Sequence, residues 1–128
     1  MEVRTANSPA GPRPVGPYSH AVIAGEQLVF CSGMVAVDPA TNALIDGDVA
    51  AHTGRAIDNL EASLAAAGSD LAHVVKTTVF LTDLADFKAM NEEYARRFGG
   101  HKPARSTVQV AALPLGARLE IECIAVRK

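Results

Sequence analysis

This 128-residue sequence predicts an α+β fold, a mixed β-sheet with two helices packed on one face. Three observations carry that expectation. Short segments of alternating, β-branched character recur along the whole chain. Two stretches between them place apolar residues at three- and four-residue steps, each closed by glycine. The resulting order reads ββ(β)-α-β-α-ββ, with no internal repeat, linker or low-complexity tract.

Residues 1–17 carry Pro9, Pro12, Pro14 and Pro17 with Gly11 and Gly16. They predict an irregular or extended arm (1–15) at the head of a single domain spanning 1–128. A hairpin follows, Ala21-Val22-Ile23-Ala24 turning at Gly25-Glu26 into Leu28–Ser32, with Gly33 ending the strand. Met34-Val35-Ala36-Val37 reads as a further short strand, closed by Asp38-Pro39 and a turn at Thr41-Asn42. Asp48 caps a helix whose stripe is Val49, Ala56, Ile57, Leu60, Leu64 and Ala67, stopped by Gly68. Val74–Thr82 places Val75, Thr77, Val79 and Leu81 on one side and Val74, Thr78 and Phe80 on the other, as a strand buried on both faces would. Asp83 or Asp86 caps a second helix with the stripe Phe87, Met90/Asn91, Tyr94 and Phe98, ended by Gly99-Gly100.

Two alternating runs close the chain, 105–110 and 118–126, joined by Leu113-Pro114-Leu115-Gly116. They predict a β-hairpin. Such a hairpin brings Arg105 and the pair Glu120/Glu122 to one end of the sheet. A guanidinium beside a carboxylate suits a site that clamps an anion and handles a proton or a water.

Composition narrows the function. With 48% hydrophobic and 20% charged residues the chain is globular, and 5% aromatics without Trp leave Val, Ile, Leu and Ala to build the core. The net charge is −2, and no basic cluster exceeds Arg96-Arg97 or Arg127-Lys128, which argues against a nucleic-acid partner. No apolar run approaches the roughly 20 residues of a membrane span, and Met1–Asn7 hold no apolar signal region, so a cytoplasmic protein is expected. Cys31 and Cys123 sit in apolar strand-like runs and are expected as buried, reduced thiols. They lack Cys-X-X-Cys spacing, and His20, His52, His73 and His101 form no ligand pair, so no metal site is expected. Two helices on one sheet face leave the other uncovered, which predicts a homo-oligomer.

Several short motifs run in order from Gly16 to Arg127. They are Gly16-Pro17-Tyr18-Ser19, Ser32-Gly33 after a strand, Asp58-Asn59 in the first helix, and Val75–Leu81 followed by Asp83-Leu84. Asn91 with Tyr94, Pro103-Ala104-Arg105-Ser106, Leu113-Pro114 and Glu120-Ile121-Glu122 complete the set. With these the chain resembles the Rid (reactive intermediate deaminase) family, most closely its RidA branch. The resemblance implies a chorismate-mutase-like fold assembled as a homotrimer, with sites in the clefts between subunits. It also implies a 2-iminobutanoate/2-iminopropanoate deaminase activity without a cofactor. Such an enzyme hydrolyses 2-imino acids and enamines, such as 2-aminoacrylate or 2-iminobutyrate, to 2-oxo acids and ammonia. Three positions depart from the usual RidA pattern: His20 and Met34 stand where glutamine is common, and Thr107 where many members have cysteine.

Arg105 offers a planar fork for the substrate carboxylate. A carboxylate within reach of the imine orients water, accepts its proton and returns it to the leaving nitrogen. Glu120 and Glu122 project from the same strand face, and their spacing does not choose between them; the resemblance selects Glu120. Tyr18 is expected to wall the pocket from a neighbouring subunit, and Ser32-Gly33 to let backbone approach the ligand. Thr107 is expected to present its backbone to the imine, and Asn91 either to contact ligand or to pin a loop. His20 reads as a structural or interface residue, and the Phe87/Met90/Tyr94/Phe98 stripe as core. Two other functions compete, a non-catalytic binder of small carboxylates and an RNA-cleaving or translation-inhibiting protein. Glu120 beside Arg105 favours the enzyme over the binder, and the charge disfavours the third.

Overall fold

Leu119, Ile121, Cys123 and Ala125 alternate perfectly, and in the computed structural model, which describes residues 1–128, all four are buried on one sheet face. The strands are β1 (Val3–Ala6), β2 (Ala21–Ala24), β3 (Leu28–Met34), β4 (Val37–Asp38), β5 (Ala43–Leu44), β6 (Val74–Leu81), β7 (Ala104–Gln109) and β8 (Leu119–Val126). The helices are α1 (Val49–Ala66) and α2 (Phe87–Phe98). Six strands form one sheet in the order β1-β2-β3-β8-β6-β7, while β4 and β5 make a separate two-stranded ribbon. All neighbours are antiparallel except β6 and β7. Their parallel pairing is possible because α2 supplies the crossover between them.

The expected hairpin between 105–110 and 118–126 does not form. β8 lies between β3 and β6, and β7 lies on the far side of β6. Side-chain polarity explains the difference. β8 buries every second residue and takes an interior position, whereas Ala104–Gln109 has no fully buried residue and takes the edge, where polar side chains shield open backbone.

Both helices lie on the predicted face. Asp48 accepts a hydrogen bond from the Ala51 amide, and Gly68 leaves the helix at φ +79°, as Asp48 and Gly68 led us to expect. The stripe of α1 packs on β3 and β8, with Ile57, Leu60 and Leu64 fully buried. Asp83 caps a short 3₁₀ turn (Leu84–Asp86) rather than α2 itself, and Asp86 makes no side-chain cap. Truncating Leu60 removes a side chain at the centre of this layer. Leu60→Ala is therefore expected to lower unfolding free energy by about 2–5 kcal/mol, measured by urea melts.

Three local expectations are refined. The arm is not wholly irregular: Val3–Ala6 precedes its first proline and pairs with β2 at the sheet edge. Met34 ends β3, so the next strand begins only at Val37. In β6 a register shift between Val74 and Lys76 turns Val74 inward and leaves Val75 46% exposed, so Val74 rather than Val75 joins Thr77, Val79 and Leu81 in the core.

The opposite sheet face is apolar and uncovered. Register places Val22, Phe30 and Ile124 side by side, flanked by Leu28 and Val126, with Phe80 beside Val108. Phe30 is 42% exposed and Val108 41%. No helix of the chain is long and apolar enough to cross a membrane.

Candidate active site

Glu120 pairs in register with Phe80 and so lies on the helix-free face. Its carboxylate borders a cavity of about 300 Å³ that also touches Pro12, Arg13, Tyr18, Ser32 and Gly33. Gly33 is required here for a reason the sequence does not display. A Cβ at that position would stand 2.7 Å from the Glu120 carboxyl carbon and Oε2, so the missing side chain is the space the carboxylate occupies. Burial raises the Glu120 pKa above the usual carboxylate range, and the nearby Glu122 charge adds to it. No hydrogen bond opposes the shift. The result is a carboxylate short of solvation, hence a stronger base than a glutamate in water. Glu122 shares the face but is exposed to solvent.

The wall around Glu120 is held by polar pins. Ser32 Oγ donates to the Ser19 carbonyl at 2.6 Å, and its amide donates to the His20 carbonyl at 2.9 Å. Ser32 thus fixes the segment carrying Tyr18. His20 is fully buried. Its Nδ1 accepts from the Ser8 amide at 2.9 Å, which leaves the proton on Nε2 to donate to the Pro12 carbonyl at 2.6 Å. Both ring nitrogens are engaged, so His20 is structural, as its sequence context suggested.

Arg105 pairs in register with Thr77, whose hydroxyl meets Tyr94 Oη of α2 at 2.8 Å. It therefore lies on the helix side. Its guanidinium carbon stands 4.8 Å from the Tyr94 ring and 5.6 Å from Phe87, an aromatic shelf that orients the fork by cation–π attraction. It joins none of the chain's ion pairs. Asn91 lies between Phe87 and Tyr94 along α2. Thr107 follows Arg105 on the same face, and its shielded Oγ1 lacks a hydrogen-bond partner.

The expected site residues therefore fall into two groups on opposite faces of the sheet. Tyr18, Ser32, Gly33 and Glu120 meet at the cavity; Arg105 and Thr107 lie on the other face, on β7 two strands away, with Asn91 on α2. A backbone layer separates them, so Arg105 and Glu120 of one chain do not meet on one small molecule.

The family model described as endoribonuclease L-PSP matches residues 8–127. Reactive intermediate deaminase A of Arabidopsis thaliana is 49% identical over 96% of this chain and 64% of the plant protein. The chain belongs to the Rid family. Another Rid relative, the 2-iminobutanoate/2-iminopropanoate deaminase of Homo sapiens, is 42% identical over 97% of this chain and 90% of its own. The crystal structure of E. coli TdcF with bound serine superposes with a TM-score of 0.91 at 40% identity, covering 98% of this chain and 99% of that one. The α+β fold is the one expected of a Rid protein.

The sequence displays the Asp58-Asn59 motif but not the role of Asn59. Asn59 sits fully buried on the apolar face of α1 and donates to the carbonyls of Val35 and Val37, tying the cavity wall to the helix. A polar residue between Ala56 and Leu60 on that stripe was the available signal. Phe87, expected as core, is 39% exposed, whereas Met90, Tyr94 and Phe98 are buried; Phe87 and Tyr94 together carry the Arg105 guanidinium.

Proposed function

We propose that this Rid protein is a hydrolytic deaminase of reactive 2-imino acids and their enamine tautomers. It works as a homotrimer whose sites draw Arg105 from one protomer and Glu120 from the next. The observation that carries the reading is Glu120, an unpaired and partly desolvated carboxylate on a cavity wall. A non-catalytic carboxylate binder has no use for a second negative charge there. The names borne by the human and plant relatives support the same activity, and the serine bound to the E. coli neighbour supports an amino-acid-sized ligand.

The proposed chemistry uses the two groups of residues together. Arg105 grips the substrate carboxylate with two parallel hydrogen bonds and fixes C2. Glu120 takes a proton from water as the oxygen attacks C2, giving a carbinolamine. The protonated Glu120 returns that proton to nitrogen; the carbinolamine hydroxyl then gives its own proton back to Glu120 as the C2–N bond breaks, ammonia departs, and the 2-oxo acid remains. For an enamine, a Glu120 that is already protonated first delivers its proton to C3, giving the iminium form of the imine, and the carboxylate so regenerated then activates the water. Tyr18, 47% exposed in the isolated chain, would be covered by the neighbouring protomer, as would the apolar face around Phe30. Glu120 and Glu122 on that face would repel a phosphate backbone, which counts against an RNA substrate.

The direct test generates imines in situ with an amino-acid oxidase and follows ammonia and 2-oxo acid. Release faster than spontaneous hydrolysis is expected; no acceleration with any imine would end this reading. Assembly is tested separately. Phe30→Glu places a charge where two protomers meet and is expected to sediment as a monomer with little activity. A monomeric variant of full activity would refute the shared site.

A further inference from the structure

Arg13 is the one basic side chain on the wall of the Glu120 cavity whose role the deaminase chemistry leaves open. It is held there by more than chance. Proline on both sides, Pro12 and Pro14, restricts the backbone. The Pro12 carbonyl accepts from His20 Nε2 at 2.6 Å. The Arg13 amide donates to Asn42 Oδ1 at 2.8 Å, and Asn42 Nδ2 donates back to the Arg13 carbonyl at 3.3 Å. Asn42 itself takes the left-handed conformation, φ +58°, at the turn between β4 and β5. Two elements distant in sequence thus fix where this side chain leaves the backbone, while its guanidinium joins no ion pair.

The carboxylate nearest in the cavity, Glu120, is likewise unpaired, so the cation is not there to neutralise it. An exposed, unpaired guanidinium on a preorganised backbone at a cavity mouth suits an anion that arrives with the ligand. The substrate's own carboxylate is already assigned to Arg105 of the adjoining protomer, so the anion left for Arg13 is a second one. We propose that Arg13 is a specificity residue that favours 2-imino acids bearing a second carboxylate on the side chain. This rests on the deaminase reading above. The imine carbon would lie between the two arginines with Glu120 beside it, and the second carboxylate would point toward the mouth lined by Arg13.

The test compares the parent, Arg13→Gln and Arg13→Lys on imines released by an oxidase from aspartate and from alanine. In the parent both are expected to be hydrolysed. Arg13→Gln should lower the ratio of kcat/KM for the aspartate-derived imine to that for the alanine-derived imine by about tenfold or more, the size of a lost charge-assisted contact. The loss should fall mainly in KM. Arg13→Lys, which keeps the charge without the fork, should restore part of the ratio. An unchanged ratio in Arg13→Gln, or a parent active on the alanine-derived imine alone, overturns the assignment and leaves the deaminase reading standing. A parent that accelerates neither imine overturns both.

Discussion

Arg105→Ala is expected to lower kcat/KM on 2-iminobutyrate by at least about a hundredfold while the protein stays folded and assembled. The side chain contributes no ion pair to the fold and sits on an edge strand, so its loss leaves the core intact. What disappears is the anchor that sets where C2 lies. A small substrate has few other contacts, and its orientation depends on this one. Arg105→Lys should also be badly impaired, because a point charge over the Tyr94 and Phe87 rings does not reproduce the planar fork. Near-normal turnover in either variant, with assembly verified by sedimentation, would remove Arg105 from the site.

Glu120→Gln is expected to bind 2-oxo acids about as well as the parent and to turn over roughly 10²–10⁴-fold more slowly, mainly in kcat. The amide keeps size and hydrogen bonding but accepts no proton from water. Glu122→Gln, at an exposed position, should be mild; the reverse pattern would exchange the two assignments. The pH dependence is also set. The folded-state pKa of Glu120 lies above its unfolded value, so activity should fall on an acid limb placed higher than for a solvated glutamate. In stability the sign is opposite to that of a salt-bridged acid. Burial of the charged form costs stability once pH exceeds the raised pKa, and the cost vanishes below the unfolded value. Glu120→Gln should therefore be at least as stable as the parent at neutral pH, with the advantage shrinking as pH falls through the carboxylate range. A parent more stable than the variant at neutral pH would contradict an unpaired, desolvated carboxylate.

Mixing the two inactive proteins tests the shared site. If each site takes Arg105 from one protomer and Glu120 from the next, every trimer of mixed composition contains one intact pair. Refolding Arg105→Ala with Glu120→Gln in equal amounts should then recover up to about a quarter of the parental rate, since three in four random trimers are mixed. No recovery in verified mixed trimers would show that one chain supplies both residues.

Much of this was legible in the residues themselves. The stripe from Val49 to Ala67, its Asp48 cap and its Gly68 stop dictate α1 through short-range spacing and capping, which need no partner. The two-sided apolarity of Val74–Leu81 marked an interior strand for the same reason, although in the chain only its helix-side face (Val74, Thr77, Val79 and Leu81) is buried, not both faces as expected. Strand order was beyond such spacing. Arg105 and Glu120 lie on well-formed strands joined by a turn-like Pro-Gly segment, and local pattern favours pairing them. Only the packed sheet decided otherwise, because β6 needed a neighbour on each edge and β8, with four buried residues, was the better interior strand. The insertion of β6 separates the arginine from the glutamate by two strands and one sheet face. Glu120 itself was chosen from the chain by resemblance, but its raised pKa arises from burial and from the gap at Gly33, both properties of the assembled layers. The sequence determined which elements form and which side chains carry charge. Tertiary structure decided which charges share a cavity, because burial and register depend on partners that lie far apart along the chain.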